Sequence, residues 1–229
     1  LITGGFGSLG RAIGMWLARQ GAGRLLLIGR RGTSTPEATA HVAALRELGA
    51  RVEVAALDIA DGPALVRRIE RLRSDGPPLR GAIHAAGLGQ RRDLAALSWS
   101  ECAATLSAKA AGAWALHEAT LDEPLDFFVC CASIAGVWGS RQQASYGAAN
   151  AFLDGLCAYR RARGLPASSL DLGPIAGTTL VDANTARDLR RMGLTPTSVD
   201  SLLSDLPTVL SASTPQTVLA DVDWQRFAE

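Results

Sequence analysis

Three side chains in this sequence could together deliver a proton to a carbonyl oxygen. Carbonyl reduction puts hydride on carbon and leaves an alkoxide, which needs a poised acid and donors aimed at it. Tyr146, in SYGAANAFLDGL (145–156), is a candidate acid. A free phenol has a pKa of about 10, and a neighbouring cation favours its ionised form. Ser133 closes the apolar run DFFVCCAS (126–133) and could hold the carbonyl oxygen from the other side, although serine is common in such loops. Asn150 follows Tyr146 at helical spacing, so the two share a face. The cation stands out by rarity: Lys109 is the only lysine among 23 basic residues. A compact ammonium on a flexible stem differs from a planar guanidinium, so Lys109 is a candidate for a position where arginine would not serve. It falls in a long helix pattern before the Ser133 strand, within reach of the pocket that Tyr146 and Asn150 are expected to line.

A second group of residues suits a dinucleotide. TGGFGSLG (3–10) places Gly5-x-Gly7-x-x-Gly10 between a strand and a helix, with Thr3, Gly4, Ser8 and Leu9 as the other candidate contacts. Glycines allow a tight turn and close approach to a pyrophosphate, and the helix N-terminus then faces the phosphates. The next strand ends LLLIGRRG, with Arg30 and Arg31 where a chain preferring NAD would carry an acid. Guanidiniums suit a 2′-phosphate, which favours NADPH; one of the two, Arg31 rather than Arg30, could equally be a solvated surface residue. Asp58 and Ile59, in LDIAD, end a third strand. Asp58 is either an acceptor for the adenine amino group or a helix N-cap. HAAG (84–87) ends a fourth strand, where Ala85, Ala86 and Gly87 leave room for the cofactor ribose and His84 reads as structural.

The elements that must position these groups alternate. RLLLIG (24–29), VEVAAL (52–57), GAIHAA (81–86), DFFVCCAS and SSLDLG (168–173) read as buried parallel strands. Helical patterns separate them: Ile13, Trp16 and Leu17; Val42, Leu45 and Leu48; Leu65, Ile69 and Leu72; then longer helices near 98–119 and 141–163. This order predicts an α/β fold, a doubly wound parallel sheet of Rossmann-like type, over 1–229 as a single catalytic domain. Only Leu1 and Ile2 precede the first turn, too little for a central strand of typical length, about 5 residues; the expectation is a fragment of a longer chain. The stretch 174–200, rich in Thr, Arg and Gly, follows a strand's carboxyl end and is expected to be a mobile lid over a substrate cleft, against the alternative of a disordered surface loop.

Composition excludes several classes. A net charge of +1 and 22 acidic against 23 basic residues give no case for nucleic acid or a membrane surface. No apolar run reaches the ~18 residues of a membrane span. Cys102, Cys130, Cys131 and Cys157 lack metal-ligand spacing and read as reduced core thiols of a cytoplasmic protein, Cys130 and Cys131 on opposite faces of a strand.

Taken together, TGGFGSLG, GRRG, LDIAD, HAAG, SAKAAGAW, CASIAGVWGS, SYGAANAFLDGL and the terminal ADVDW resemble the catalytic half of a ketoreductase domain from a type I polyketide synthase, in the complex branch of the short-chain dehydrogenase/reductases. Ordinary members of that superfamily pair the tyrosine with a lysine four places on; in this branch lysine and asparagine exchange places. The resemblance implies Tyr146 as proton donor, Ser133 as carbonyl ligand, and Lys109 with Asn150 as supporting network. It implies NADPH, a β-ketoacyl thioester on the phosphopantetheine arm of an acyl carrier protein, and an upstream structural half that completes the sheet edge.

The same resemblance bears on stereochemistry. Members giving the D-hydroxyl carry Leu-Asp-Asp after HAAG; here LGQRRDL (88–94), beginning at Leu88, lacks it. Members giving the L-hydroxyl carry a tryptophan where Trp138 stands; Gln143 replaces the histidine of epimerising members, and Ala148 the proline of another subclass. An L-hydroxyl without epimerisation is implied, unless Trp138 only packs. Many modular members read Trp-Gly-Pro-Trp where this chain has LGPIAG, with Leu172 and Ile175, which leaves pocket shape and an iterative synthase open. The alternative from another class is a catalytically silent, nucleotide-binding scaffold; a free-standing dehydrogenase would be expected to keep Tyr-x-x-x-Lys.

Overall fold

The computed structural model describes residues 1–89, 91–178, 181–211 and 214–228. The chain runs β1 (Ile2–Thr3), α1 (Ser8–Arg19), β2 (Arg24–Ile28), α2 (Pro36–Glu47), β3 (Arg51–Ala55), α3 (Gly62–Ser74) and β4 (Gly81–His84). It continues through α4 (Trp99–Leu106), α5 (Gly112–Ala119), β5 (Phe127–Ser133), α6 (Ala144–Ala162) and β6 (Ser168–Leu172). It closes with α7 (Ala183–Arg191), β7 (Leu194–Thr195), α8 (Val199–Ser211), β8 (Gln216–Leu219), β9 (Asp221–Val222) and α9 (Trp224–Phe227). Among the described residues the main sheet has the order β3-β2-β1-β4-β5-β6-β8, parallel throughout, as the alternating pattern predicts.

Helices cover both faces because the inner strands β2, β4 and β5 are apolar on both. Leu26, Ile28, Phe128 and Cys130 meet Leu65, Ile69 and Leu72 of α3 and Leu153 and Leu156 of α6 on one face. Leu25, Leu27, Val129 and Cys131 meet Ile13 of α1, Leu45 of α2 and Leu203 and Leu206 of α8 on the other. The adjacent cysteines therefore do point to opposite layers. Each fully buried Leu or Ile contributes about 1.5–3 kcal/mol, so the apolar spacing fixes which face of each helix turns inward. Helix starts follow local chemistry. Thr35 accepts a hydrogen bond from Ala38 N ahead of Pro36, Asp61 accepts from Ala64 N, and Ser98 and Glu101 form a reciprocal capping box.

The structure departs from the sequence expectations in three places. β1 has only two residues yet lies at the sheet centre, where Ile2 pairs with Leu27 and Ile83 and is fully buried. Leu48 lies beyond the end of α2 and is exposed, so it does not join Val42 and Leu45. The helix expected from 141 starts at Ala144, because Gln142 takes a positive φ of 62°. Within the expected lid, 174–200, lies helix α7, started by Asp182 accepting from Thr185 N. Residues 179 and 180 of that stretch, and Gln90, lie outside the described residues.

Candidate active site

The carboxyl ends of β1, β2 and β4 form one side of a long cleft. Gly4 has φ +65°, and a Cβ on it would lie 2.7 Å from the backbone of Ala85. A Cβ on Gly10 would lie 2.2 Å from Gly4 O. The glycines thus bring the turn, the first turn of α1 and the HAAG segment closer than any side chain permits. A groove of about 680 Å³ runs from this turn, lined by Gly4, Gly7, Arg30, Arg31, Asp58, Ile59 and the Ala85–Gly87 backbone. Arg30 and Arg31 are exposed at its edge, and among the described residues neither forms an ion pair. Two unpaired guanidiniums beside a glycine cradle at a helix N-terminus fit a phosphorylated dinucleotide.

Individual expectations for this group divide. Asp58 is exposed on the groove, where its Oδ1 accepts from Ala60 N at 3.0 Å; the N-cap of α3 is Asp61, so the capping alternative for Asp58 falls away. Thr3 and Gly5 do not line the groove. Gly5 closes the turn by donating from N to Ile28 O at 3.2 Å. Thr3 is buried and its Oγ1 lies 2.8 Å from His84 Nδ1. Burial, and then the charge of Lys109, push the His84 imidazole down to about 3. The ring is therefore neutral. Because His84 Nε2 faces Lys109 O at 3.0 Å, and a carbonyl only accepts, Nε2 carries the proton and Thr3 Oγ1 donates to Nδ1. His84, read as structural, thus ties two central strands to the backbone of Lys109.

That backbone is a π-helical turn, Ser107–Ala111, between α4 and α5. Such turns are rare and often mark functional positions. Lys109 is only 4% exposed. Its Nζ donates to Cys131 O at 2.8 Å and lies 5.4 Å from the ring centroid of Tyr146. Ser133 sits at the end of β5, its Oγ accepting from Ala135 N at 3.2 Å. Lys109, Ser133 and Tyr146 line one cavity of about 460 Å³, together with Ser8, Leu9, Trp138 and Gln143. The cavity and the nucleotide groove share Gly7, Ala85, Ala86 and Gly87, so the two form a continuous cleft.

Two expected site residues lie elsewhere. Asn150 does not line the cavity with Tyr146: it is fully buried behind it, and its Nδ2 donates to Tyr146 O at 2.7 Å. Position i+4 on a helix entering the core turns inward. Leu88, expected among the stereocontrol residues, lines the nucleotide groove instead, because the irregular chain after β4 turns it away from the catalytic cavity. Trp138 has a place in the cavity and a packing contact as well. It lines the cavity and also packs edge-on against Trp224 and Phe227, at centroid distances of 6.1 and 5.4 Å. The 174–200 stretch contributes Ile175, Thr178, Val181, Thr185, Leu189 and Leu194 to the same cavity.

One group of polar residues beneath the site escaped the sequence reading. Asp171 is fully buried in β6, its Oδ2 accepting from Gln216 Nε2 at 2.7 Å. Asp154 of α6 accepts from Ser169 Oγ at 2.6 Å. Burial, with the neighbouring Asp154, pushes the Asp171 carboxyl up to about 6, and burial raises Asp154 as well. The signal was a lone acid inside the apolar run SSLDLG.

Residues 1–177 match the model of the family described as KR domain. The chain is 43% identical over 230 residues to polyketide synthase GfsB of Streptomyces halstedii, all of it aligning with 4% of that protein. It is 41% identical over 228 residues to the pikromycin polyketide synthase component PikAIII of Streptomyces venezuelae, covering 100% of this chain and 14% of that one. Among solved structures, PlmKR1, the ketoreductase from the first module of phoslactomycin biosynthesis in Streptomyces sp. HK803, superposes with a TM-score of 0.93 at 40% identity, over 99% of this chain and 53% of that chain. The present chain thus spans a small part of these synthases and about half of the solved ketoreductase.

Proposed function

The chain belongs to the KR domain family, the ketoreductase domains of type I polyketide synthases, and on that premise we propose that it reduces a β-ketoacyl thioester to a β-hydroxyacyl thioester with NADPH. The observation that carries this reading is the convergence of Lys109, Ser133 and Tyr146 in one cavity continuous with the glycine-lined groove. Family members bind a nicotinamide cofactor, which when bound supplies the hydride. Gly4, Gly7, Gly10 and the N-terminus of α1 would hold its pyrophosphate, Arg30 with Arg31 a 2′-phosphate, and Asp58 the adenine amino group.

The protein's own groups handle the oxygen. Tyr146 Oη–H gives its proton to the carbonyl oxygen as that oxygen becomes an alkoxide. Ser133 Oγ–H donates to the same oxygen, preorganised by its place at the strand end. The Lys109 ammonium, fixed by Cys131 O, stabilises the phenolate that Tyr146 leaves. Asn150 acts through the backbone, holding the Tyr146 carbonyl and so the first turns of α6.

Trp138 and Gln143 shape the side by which the acyl chain arrives, and the product is the L-hydroxyl without epimerisation. The substrate is carried on the phosphopantetheine arm of an acyl carrier protein, and an upstream structural half adjoins the sheet edge, all within a cytoplasmic synthase. The 174–200 segment closes over the bound chain as a lid, which its contribution to the cavity wall supports. The test is incubation with NADPH and a short β-ketoacyl thioester, with chiral analysis of the product. An L-β-hydroxyacyl thioester is expected. NADPH binding without any reduction would replace this reading by that of a silent nucleotide-binding scaffold.

A further inference from the structure

The terminal ADVDW motif has no part in the reaction just described, yet it ends beside the cavity. Trp138 reaches the cavity from the loop after β5, where its backbone N–H donates to Ile134 O at 3.1 Å. The other side of its indole meets two rings from α9. Trp224 lies 6.1 Å away at 75° and Phe227 5.4 Å away at 64°, and these two rings meet each other at 5.8 Å and 88°. All three contacts are edge-on, the arrangement the aromatic quadrupole favours.

α9 is itself held in place. Asp223 Oδ1 accepts from Gln225 N and Arg226 N, β9 pairs antiparallel with β7 through Leu194 and Val222, and Asp223 N donates to Gly193 O at 2.8 Å. Leu189 and Leu194, which also line the cavity, belong to the same apolar cluster as Trp138 and Phe227. One short helix therefore packs against a cluster that forms part of the cavity lining. Trp224 is 63% exposed, yet its ring meets both Trp138 and Phe227.

We infer that Trp224 and Phe227 are positioning residues for facial selectivity: they fix the orientation of the Trp138 indole, and through it the face of the carbonyl presented for reduction. The inference rests on the proposed reductase reading and deepens it.

The experiment measures the enantiomer ratio of the product from a β-ketoacyl N-acetylcysteamine thioester and NADPH. It compares the unmodified protein with Trp224→Ala, Trp224→Phe, Phe227→Leu and Trp99→Ala. Loss of an edge-on ring should lower the ratio about two- to tenfold in Trp224→Ala and Phe227→Leu. Trp224→Phe should restore it. Trp99, which is 77% exposed on α4 and absent from the cavity wall, should be without effect. A merely structural role would lower rate or melting temperature and leave the ratio unchanged, and that result in Trp224→Ala and Phe227→Leu overturns the inference. Absence of reduction by the unmodified protein would instead sink the reading beneath it. A D-product from the unmodified protein would correct the predicted configuration while leaving the comparison of ratios intact.

Discussion

Replacing Lys109 by methionine removes a single charge from beside Tyr146 and keeps an unbranched stem of similar length. The ammonium lies 5.4 Å from the phenol ring centroid, and Lys109 itself is buried. At that separation, and at the effective dielectric of about 20 that suits protein interiors, its attraction for a full negative charge is about 3 kcal/mol. If that charge develops on Tyr146 only as the proton leaves, the loss falls on the transition state, and kcat should drop about 100-fold. The variant also loses the hydrogen bond to Cys131 O, so it should be less stable by about 1.5–3 kcal/mol, the range for bonds to charged donors. The assay is kcat at saturating NADPH and thioester, with the NADPH Kd and the melting temperature measured in parallel. Lys109→Arg separates charge from shape. The stem packs against Gly87, where a Cβ would lie 2.9 Å from Lys109 Cε, so a guanidinium lacks room and should not restore the rate. A Lys109→Met protein that binds NADPH normally and turns over within about threefold of the parent would refute the electrostatic reasoning.

Two further perturbations test other parts of the site. Arg30→Ala should raise the Kd for NADPH about 10-fold or more while changing that for NADH little, the scale of one charge-assisted contact; equal losses for both cofactors would remove the 2′-phosphate role. Asp171→Asn probes the buried acid of β6. Its carboxyl, pushed up to about 6 by burial, keeps in the folded state a proton that the unfolded chain releases from about pH 4 upward. The parent therefore loses this part of its stability as pH rises through that window. The advantage of Asp171→Asn over the parent in urea unfolding should grow by on the order of 2–3 kcal/mol between about pH 4 and about pH 7, whereas parallel stability curves would show that Asp171 is not held protonated.

The elements legible in the sequence were those whose side chains repeat. The apolar runs that became β2, β4 and β5 are largely buried on both faces, so they read as near-continuous hydrophobic segments, and the alternation of strands with helices gave the parallel sheet. The glycine turn was legible because only glycine permits the approach between Gly10 and Gly4 O. Lys109 was legible from composition alone.

What escaped lacked such a signal. α7 buries only Leu189 of its nine residues, too little for an apolar period. β8 is a sheet-edge strand of four residues that buries none of them fully, and β7 and β9 have two residues each. The π turn that carries Lys109 is a backbone event with no residue pattern of its own. Asn150 shares a helix face with Tyr146, as its spacing requires, but that face rotates from cavity to core within one turn, and spacing cannot say where the boundary falls.

The central claim is that the Tyr146 hydroxyl delivers the proton, and it is tested most directly by single-turnover reduction with Tyr146→Phe at saturating NADPH. A loss of about 100-fold or more in the rate of β-hydroxyacyl product formation, with an unchanged NADPH Kd, is the predicted result. An undiminished rate would contradict it and would move the acid to another group on the cavity wall.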